Sequence, residues 1–268
     1  MKKVAVILVI AGLTTMFASG QKKETRTVSG FTGIDASSVF DITVAKGSAE
    51  SLTIEADDAL MQYVRSEVKN GVLRLYLDRD AERNVRNNIK TLKASVVMKD
   101  LDRVSLSGAC KLTAYDFSPN SFTADCSGVS QMTVNVNTGK LSIEASGASK
   151  IQLKANVVND AKLSFSGTSN TQVELKAQSV RFDSSGASKM NLTGAATDIN
   201  IEMSGTSRVQ AEDFIVKSAT VNSSGAGNVA LHVTDNLKVN ASGTSTVNYK
   251  GSPHITFNTS GASKIKSI

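Results

Sequence analysis

A tripeptide of serine, glycine and a small or β-branched residue recurs nine times between Ser107 and the carboxyl terminus. Its glycines are Gly108, Gly128, Gly147, Gly167, Gly186, Gly205, Gly225, Gly243 and Gly261, and they lie 18 to 20 residues apart. A unit this short cannot bury its own apolar face, so it must stack on its neighbours as one coil of a solenoid. The repeat therefore predicts one elongated body over residues 104–268, with parallel coils and the nine Ser-Gly corners in one line.

Each unit carries a strand pattern on both sides of its glycine. Residues 141–145 alternate apolar Leu, Ile and Ala with polar Ser and Glu, and the alternation resumes after the corner at residues 151–153. Period-two alternation is typical of half-buried strands, so each coil is expected to have at least two strands that meet at the corner. Glycine there permits a bend or a close backbone approach that a side chain would obstruct.

The amino-terminal part carries a fainter copy of the repeat. Residues 36–44 align with residues 145–153, and residues 52–56 align with residues 141–145. We therefore expect the solenoid to begin near Phe31 with degenerate coils that form a cap, because a terminal coil faces solvent. The predicted organisation is a signal peptide over residues 1–20, a degenerate solenoid or cap region over residues 21–103, and the regular repeat over residues 104–268. Residues 78–90, rich in charges of both signs, are predicted to be a surface excursion.

The first twenty residues have the organisation of a secretory signal. Lys2 and Lys3 precede the apolar residues 4–13, and the small residues 18–20 offer a cleavage site before Gln21. The apolar run is short for a membrane span, which needs ~20 residues, so we expect cleavage rather than a retained anchor. The mature protein is then expected in the periplasm, on the outer surface or outside the cell, with no transmembrane segment. Its modest positive charge, without dense basic clusters or aromatic platforms, argues against nucleic-acid binding.

Two cysteines remain in a chain that is expected to be exported, where disulfides form. Cys126 lies two residues before its glycine, a position that is apolar in other coils, which favours a buried thiol. Cys110 lies two residues after its glycine, where other coils have serine. The two side chains meet only if the chain turns sharply at the corner, so a disulfide is the second alternative.

Residues for catalysis are scarce. His232 and His254 lie in no metal-ligand spacing motif, and the Ser-Gly pairs lack the histidine and acid that would activate a serine. The acidic clusters visible along the chain are residues 57–58 and the set Asp78, Asp80 and Glu82. We therefore expect no catalytic residue, no cofactor and no metal. The alternative is a polysaccharide-active enzyme, which a row of carboxylates on one face of the coils would favour.

The third residue after each glycine is the best candidate for a functional surface. These residues are Lys111, Gln131, Lys150, Asn170, Lys189, Arg208, Asn228, Thr246 and Lys264, so that charged and neutral side chains mostly alternate. Coils stack ~4.8 Å apart, and two lysines at that distance repel by ~0.9 kcal/mol even in water. The charged members, hereafter the basic row, are Lys111, Lys150, Lys189, Arg208 and Lys264. They either keep the solenoid soluble or bind an anionic glycan or matrix polymer.

The carboxyl end carries its own prediction. Residues 260–268 read as a nearly regular corner and strand, so the last coil is expected to present unpaired backbone donors and acceptors. We expect a specific partner there or cover from a loop of the same chain, with self-association through the C-terminal coil as the less favoured alternative. Lys264 and Lys266 are predicted to act as gatekeepers against uncontrolled growth.

Several of these features together resemble a known family. The phrase Gly-Phe-Thr-Gly-Ile at residues 30–34, the phrase Phe-Asp-Ile-Thr-Val at residues 40–44 and the Ser-Gly ladders resemble the putative auto-transporter adhesin, head GIN domain family, over about Phe31 to Ile268. The resemblance implies an exported bacterial, all-β protein: a right-handed parallel β-helix with coils of about 19 residues. It also implies a non-catalytic cell-envelope adhesin that binds a surface glycan or protein through its extended faces.

Overall fold

The computed structural model describes residues 20–81 and 83–268, which are built almost entirely of β-strands. The predicted signal segment therefore lies, except for Gly20, outside the described residues. Two short helices interrupt the strands, α1 (Asp58–Met61) and α2 (Arg83–Asn87). Among the described residues, no helix has the length and apolar character needed to cross a membrane.

The strands fall into an N-terminal set and a repeat set. The N-terminal strands are β1 (Gln21–Arg26), β2 (Gly33–Ala36), β3 (Asp41–Lys46), β4 (Ser51–Asp57), β5 (Val64–Lys69), β6 (Val72–Leu77) and β7 (Leu92–Met98). The repeat strands are β8 (Arg103–Leu106), β9 (Lys111–Phe117), β10 (Ser121–Cys126), β11 (Gln131–Thr138), β12 (Lys140–Ala145), β13 (Lys150–Val157), β14 (Asp160–Gly167), β15 (Asn170–Gly186), β16 (Lys189–Gly205), β17 (Arg208–Gly225), β18 (Asn228–Ala241), β19 (Thr246–Lys250), β20 (His254–Thr259) and β21 (Lys264–Ser267).

The repeat strands form two parallel ladders that meet at the Ser-Gly corners. The pre-corner sheet consists of β8, β10, β12, β14, the second halves of β15 to β18, and β20. The post-corner sheet consists of β9, β11, β13, the first halves of β15 to β18, and the whole of β19 and β21. All these pairings are parallel, and each advances the register by one coil. The predicted all-β solenoid is confirmed, whereas its right-handedness and its cap stay predictions.

The inward-facing residues of both sheets form one continuous apolar core. Leu141 and Ile143 from the pre-corner sheet and Ile151 and Leu153 from the post-corner sheet are all buried. The alternation seen in the sequence therefore places every second side chain inside. Serines two residues after the glycines also point inward and close the corners. The Ser149 hydroxyl, for example, donates to the carbonyl of Ser146 at 3.0 Å.

The corners form a continuous line of close backbone contacts along the stack. All nine repeat glycines have positive φ, and each lies directly on the corner residue of the preceding coil. A Cβ atom on Gly205 would lie 2.6 Å from the carbonyl oxygen of Gly186. Glycine is therefore required both for the left-handed backbone and for the close approach. The first corner, below Gly108, is Ser38 with φ of 87°.

The N-terminal strands differ from the expected degenerate coils in one respect. Strands β2 and β3 flank Ser38 and pair in parallel with β8 and β9, as a first coil should. The alignment of residues 52–56 with a coil strand is wrong, because β4 pairs antiparallel with β7 and with β1. Strand β4 lies on the far side of β7 from β3, so the chain between β3 and β4 passes over one strand and reverses direction. Strand β5 is likewise antiparallel to β6. The predicted excursion at residues 78–90 lies between β6 and β7 and contains α2.

At the carboxyl end the last strand of each ladder has one free edge within the described residues. Strand β20 pairs with β18 alone, and β21 pairs with β19 alone. Phe257 is 63% exposed, although its register partner one coil earlier, Val239, is fully buried. The expected loop cover is therefore not found in the part of the chain that the structure describes. Docking of a partner, or self-association, at this end stays a proposal.

The corner contact predicts that two glycine substitutions will differ in cost. Gly71 also has positive φ, but a Cβ atom added to it would meet no other atom within 4 Å. Gly71→Ala should therefore cost only about 1–2 kcal/mol, the penalty of the left-handed backbone. Gly205→Ala adds a backbone clash and should cost about 1–3 kcal/mol more. Denaturant unfolding of the two variants measures the difference, and equal costs would show that the close approach is unimportant.

The free C-terminal edge predicts that Lys264 and Lys266 limit self-association. Replacing both by serine should increase association in light scattering, because it leaves the unpaired edge of β21 without repelling charges. The matched control is Lys217→Ser with Lys238→Ser, which removes the same charge from exposed positions away from the free edges. If both double variants associate equally, general charge loss is the cause and the gatekeeper role is wrong.

Candidate functional site

The basic row forms one straight line on the post-corner sheet. Each of its members is the first residue of a strand, or of a first half-strand, that follows a corner. Register pairs run without a break from Lys111 through Gln131 to Lys150, and on through the neutral positions to Lys264. All five cationic side chains are exposed. The structure therefore brings together all the residues that the sequence analysis assigned to this surface.

The basic row has few carboxylates beside it, the nearest in register being Asp41, one coil before Lys111. None of its members forms an ion pair with any described residue. Two basic side chains of the pre-corner sheet behave differently: Lys162 lies 3.3 Å from Glu144, and Arg181 lies 2.9 Å from Asp183 and 3.0 Å from Glu202. The hydrogen bond to Asp183 is the first cause of the raised pKa of Arg181. Lys162 and Arg181 are thus paired with neighbouring carboxylates, whereas the members of the basic row are not.

Neutral hydrogen-bonding side chains lie beside the basic row. The next outward position of the same strands carries Thr133, Gln152 and Gln172 on successive coils. The Thr133 hydroxyl donates to the Gln152 amide oxygen at 3.3 Å, and the Gln152 amide donates to Gln172 at 3.3 Å. The post-corner sheet therefore offers amide groups directly next to free cations.

The spacing of the row follows from the stacking distance. Lys111, Lys150 and Lys189 are separated by two coils each, which corresponds to about 9.6 Å along the solenoid axis. Arg208 lies one coil beyond Lys189, at about 4.8 Å. The first three members therefore form a line of positive charges spaced by two coils, and Lys264 lies three coils beyond Arg208.

A groove along the pre-corner sheet was missed by the sequence analysis. It has a volume of about 1180 Å³ and runs from Asp125 to Ser260. One wall is the third residue before each glycine, hereafter the polar row: Asp125, Glu144, Ser164, Asp183, Glu202, Asn222, Asn240 and Asn258. The four carboxylates of the polar row are one or two coils apart in sequence, so no cluster of acidic residues marks them. Reading the same glycine alignment at this position would have found them.

The groove exists because the residue before each corner glycine is serine. Ser166, Ser185 and Ser204 are short side chains beside the longer ones of the polar row, so a trench remains between the row and the corner. These three hydroxyls are exposed and form no hydrogen bond with any described residue. The trench is thus floored by free hydroxyl groups.

The two halves of the groove have different chemistry. Near Glu144, Asp183 and Glu202 the carboxylates are held in the ion pairs with Lys162 and Arg181. Asp125 has no ion pair with a described residue. In the C-terminal half the polar row is asparagine, and the Asn240 amide donates to the Asn222 oxygen at 2.8 Å. The outward side chains of the groove are therefore hydrogen-bonding groups, with apolar residues such as Phe165 and Met203 beneath them, and only part of the charge is unpaired.

The acidic clusters seen in the sequence hold the N-terminal strands together instead. Asp57 accepts hydrogen bonds from the backbone of Lys90 and Thr91 at 2.8 and 3.2 Å. Asp78 pairs with Arg65 at 2.8 Å, and its pKa is lowered, first by a hydrogen bond from the Asp80 backbone. Glu82 lies outside the described residues. Asp57 and Asp78 therefore stabilise the N-terminal strands.

Neither histidine lines the groove or belongs to the basic row. His232 is half-buried in β18, and His254 is exposed at the start of β20. The described residues contain no group of three or more histidine, cysteine or acidic side chains that would hold a metal ion.

The two cysteines are buried as free thiols. Contacts across a corner join the inward residue before one glycine to the inward residue after the next, as in the 2.8 Å hydrogen bond between Ser184 and Ser207. By this rule Cys126 faces Ser149, whose hydroxyl lies 3.4 Å from the Cys126 carbonyl oxygen. Cys110 lies after one glycine and Cys126 lies before the next, which is the reverse order, so this contact does not join the two cysteines. Burial raises the pKa of Cys110 to about 11 and that of Cys126 to about 12.

The fold is a parallel β-solenoid whose outward faces carry long polar rows. The family model described as "Putative auto-transporter adhesin, head GIN domain" matches residues 30–161 and 154–253. The chain therefore belongs to this family, as the sequence resemblance predicted. No curated protein matches it in sequence.

Three solved structures share the fold. A putative adhesin from Parabacteroides distasonis has 22% identity and a TM-score of 0.70, covering 94% of this chain and 98% of its own. A putative adhesin from Parabacteroides merdae has 17% identity and a TM-score of 0.73, covering 94% and 97%. A protein from P. distasonis described as a putative lipid binding protein has 17% identity and a TM-score of 0.63, covering 94% and 98%.

The buried thiols predict a pH effect on stability. The folded-state pKa values exceed the ordinary value of 9.0, so the folded protein keeps protons that the unfolded chain releases between about pH 9 and 11. The unfolding free energy should fall as pH rises through this window. The unfolding free energy should fall less with pH in the double variant Cys110→Ser, Cys126→Ala. Serine and alanine are chosen because other coils have them at these two positions. Identical pH dependence of the two proteins, or rapid labelling of the native thiols, would contradict the burial.

Proposed function

We propose that this protein is an exported, non-catalytic cell-envelope protein that binds an anionic surface glycan through the basic row. The observation that carries the proposal is that five cations lie in one exposed line and none is paired with a described residue. Unpaired charge in a line raises the local concentration of a polyanion and speeds its association. The adhesin names of the structural neighbours and the family description agree with a surface-binding role.

A purely protective role explains only one end of the row. Charges on an unpaired edge prevent edge-to-edge pairing, and Lys264 on β21 fits that purpose. Lys111, Lys150 and Lys189 lie on strands that are paired on both sides, where no edge needs protection. Two such charges about 9.6 Å apart repel by about 0.4 kcal/mol in water. A bound polyanion would remove this repulsion.

The geometry favours a linear ligand that lies across the strands. The row runs along the solenoid axis, and the amides of Gln152 and Gln172 lie beside it. A charged glycan has both groups that this surface complements: carboxylates or sulfates for the cations, and hydroxyls for the amides. The signal-like residues 1–20 support export, so the proposed ligand is one met outside the cytoplasm.

Replacing three cations of the row should weaken binding without unfolding the protein. The variant carries Lys150→Gln, Lys189→Gln and Arg208→Gln. We expect at least a tenfold loss, about 1.4 kcal/mol, in binding to polygalacturonate or dextran sulfate. Binding by the unaltered protein should fall steeply between about 0.1 M and 1 M salt, since the screening length drops from about 10 to about 3 Å. Calorimetry or biolayer interferometry measures both effects.

A charge-matched control separates the row from net charge. Lys140→Gln, Lys162→Gln and Lys238→Gln remove three charges from exposed positions of the pre-corner sheet. This control should bind nearly as well as the unaltered protein. Absence of binding to either polyanion at low salt, or an equal loss in both triple variants, would overturn the proposal.

A polysaccharide-active enzyme is the second candidate, and the polar row favours it. Asp183 and Glu202 are register neighbours, at a strand spacing of about 4.8 Å, and retaining glycosidases hold two carboxyls about 5–5.5 Å apart. Acid catalysis by carboxyls uses desolvated sites, whereas these two side chains are 28% and 44% exposed and share Arg181. We therefore favour binding. New reducing ends after incubation with the same glycans, lost in Glu202→Gln, would establish the enzyme instead.

A further inference from the structure

The groove on the pre-corner sheet takes no part in the binding proposed for the basic row. It lies on the other side of the corner line, and its wall and floor come from residues before each glycine rather than after it. Its volume of about 1180 Å³ is spread along many coils, so it is a long open trench. The shape suits an extended chain.

The lining of the groove repeats one set of hydrogen-bonding groups at each coil. Every coil from Glu144 onward adds one side chain of the polar row and one serine. Successive coils repeat at about 4.8 Å. The hydroxyls of Ser166, Ser185 and Ser204 have no partner among the described residues. A linear polymer with hydroxyls on every unit satisfies such a surface by repetition.

The charge balance of the groove rejects polyanions. Four carboxylates, those of Asp125, Glu144, Asp183 and Glu202, line it, whereas the nearby paired cations are Lys162 and Arg181. An anionic glycan would meet unbalanced negative charge there. The paired carboxylates still have free lone pairs that accept hydrogen bonds from sugar hydroxyls, and the asparagines of the C-terminal half both donate and accept. The lining therefore selects uncharged, hydroxyl-rich ligands.

We propose that this groove is a second binding site, for an uncharged linear glycan that lies along the solenoid axis. The protein then has two glycan surfaces of different selectivity, one on each side of the Ser-Gly corners. The basic row takes the charged polymer, and the groove takes the neutral one. The groove site does not depend on the basic row, so either can be tested alone.

The test fills the trench without changing its charge. The variant carries Ser166→Gln, Ser185→Gln and Ser204→Gln, which place larger neutral side chains on the floor at exposed positions. The probes are cellohexaose, xylohexaose, mannohexaose and chitohexaose, measured by calorimetry and by saturation-transfer NMR. The matched control carries Ser118→Gln, Ser121→Gln and Ser252→Gln, which are exposed serines outside the groove.

We expect at least one hexasaccharide to bind, with an affinity that changes less than about twofold between about 0.1 M and 1 M salt, where charge pairing would be screened. The filled variant should lose at least about tenfold in affinity, while the control variant keeps it. The filled variant should still bind polygalacturonate, which separates a failure of this site from a failure of the basic row. Circular dichroism and the unfolding midpoint of the filled variant verify that it is folded.

Three results would overturn the groove site. The first is that none of the four oligosaccharides binds. The second is equal binding by the filled and control variants, which would place the sugar elsewhere. The third is binding that weakens about tenfold with salt, which would show that charge rather than hydroxyl recognition holds the ligand.

Discussion

The contact of one corner glycine with the next fixes the geometry of the whole solenoid. A Cβ atom added to any corner glycine of the regular repeat would lie within 2.7 Å of the carbonyl oxygen of the corner residue one coil earlier. Only a residue without a side chain permits coils to approach so closely while the backbone turns with positive φ. Because every coil is tied to its neighbour at this one point, residues at the same offset from the glycine must stack in register. The in-register ladders of both sheets follow from this constraint, and so do the rows of side chains on the surface.

Because the coils stack in register, a residue type that recurs at one offset from the glycine forms a line of similar side chains on the surface. At the third position after the glycine cations and neutral residues mostly alternate, and the result is a line of charges along the solenoid. At the third position before the glycine, acids occupy the middle coils and asparagines the later ones, and Lys162 and Arg181 on the same face neutralise part of the acids. The two faces that meet at one corner thus differ in electrostatics although the backbone of each is the same. Function in such a fold is set by offsets from the glycine, since the core positions are occupied by interchangeable apolar residues.

Most of the fold could be predicted from the sequence because a solenoid is nearly one-dimensional. The glycine spacing predicted the coil, and the offset of Lys150 and Lys189 predicted the basic row. Strand direction in the N-terminal part could not be predicted, since residues 52–56 have the same alternation whether they run parallel or antiparallel to a neighbour. The groove could not be predicted from composition either. It depends on the difference in length between Ser185 and its neighbours in the polar row, and on ion pairs between residues of adjacent coils.

The repetition also determines how strongly such surfaces hold a polymer. A single exposed lysine or serine contributes little to affinity, because exposed polar contacts compete with water and charge is screened by salt. A polymer that spans several coils makes the same contact several times, and after the first contact each further one is intramolecular, with a high effective concentration. Weak individual contacts then add to useful avidity without any deep pocket. In the proposed binding, the number of regular coils that contact the polymer therefore sets the avidity.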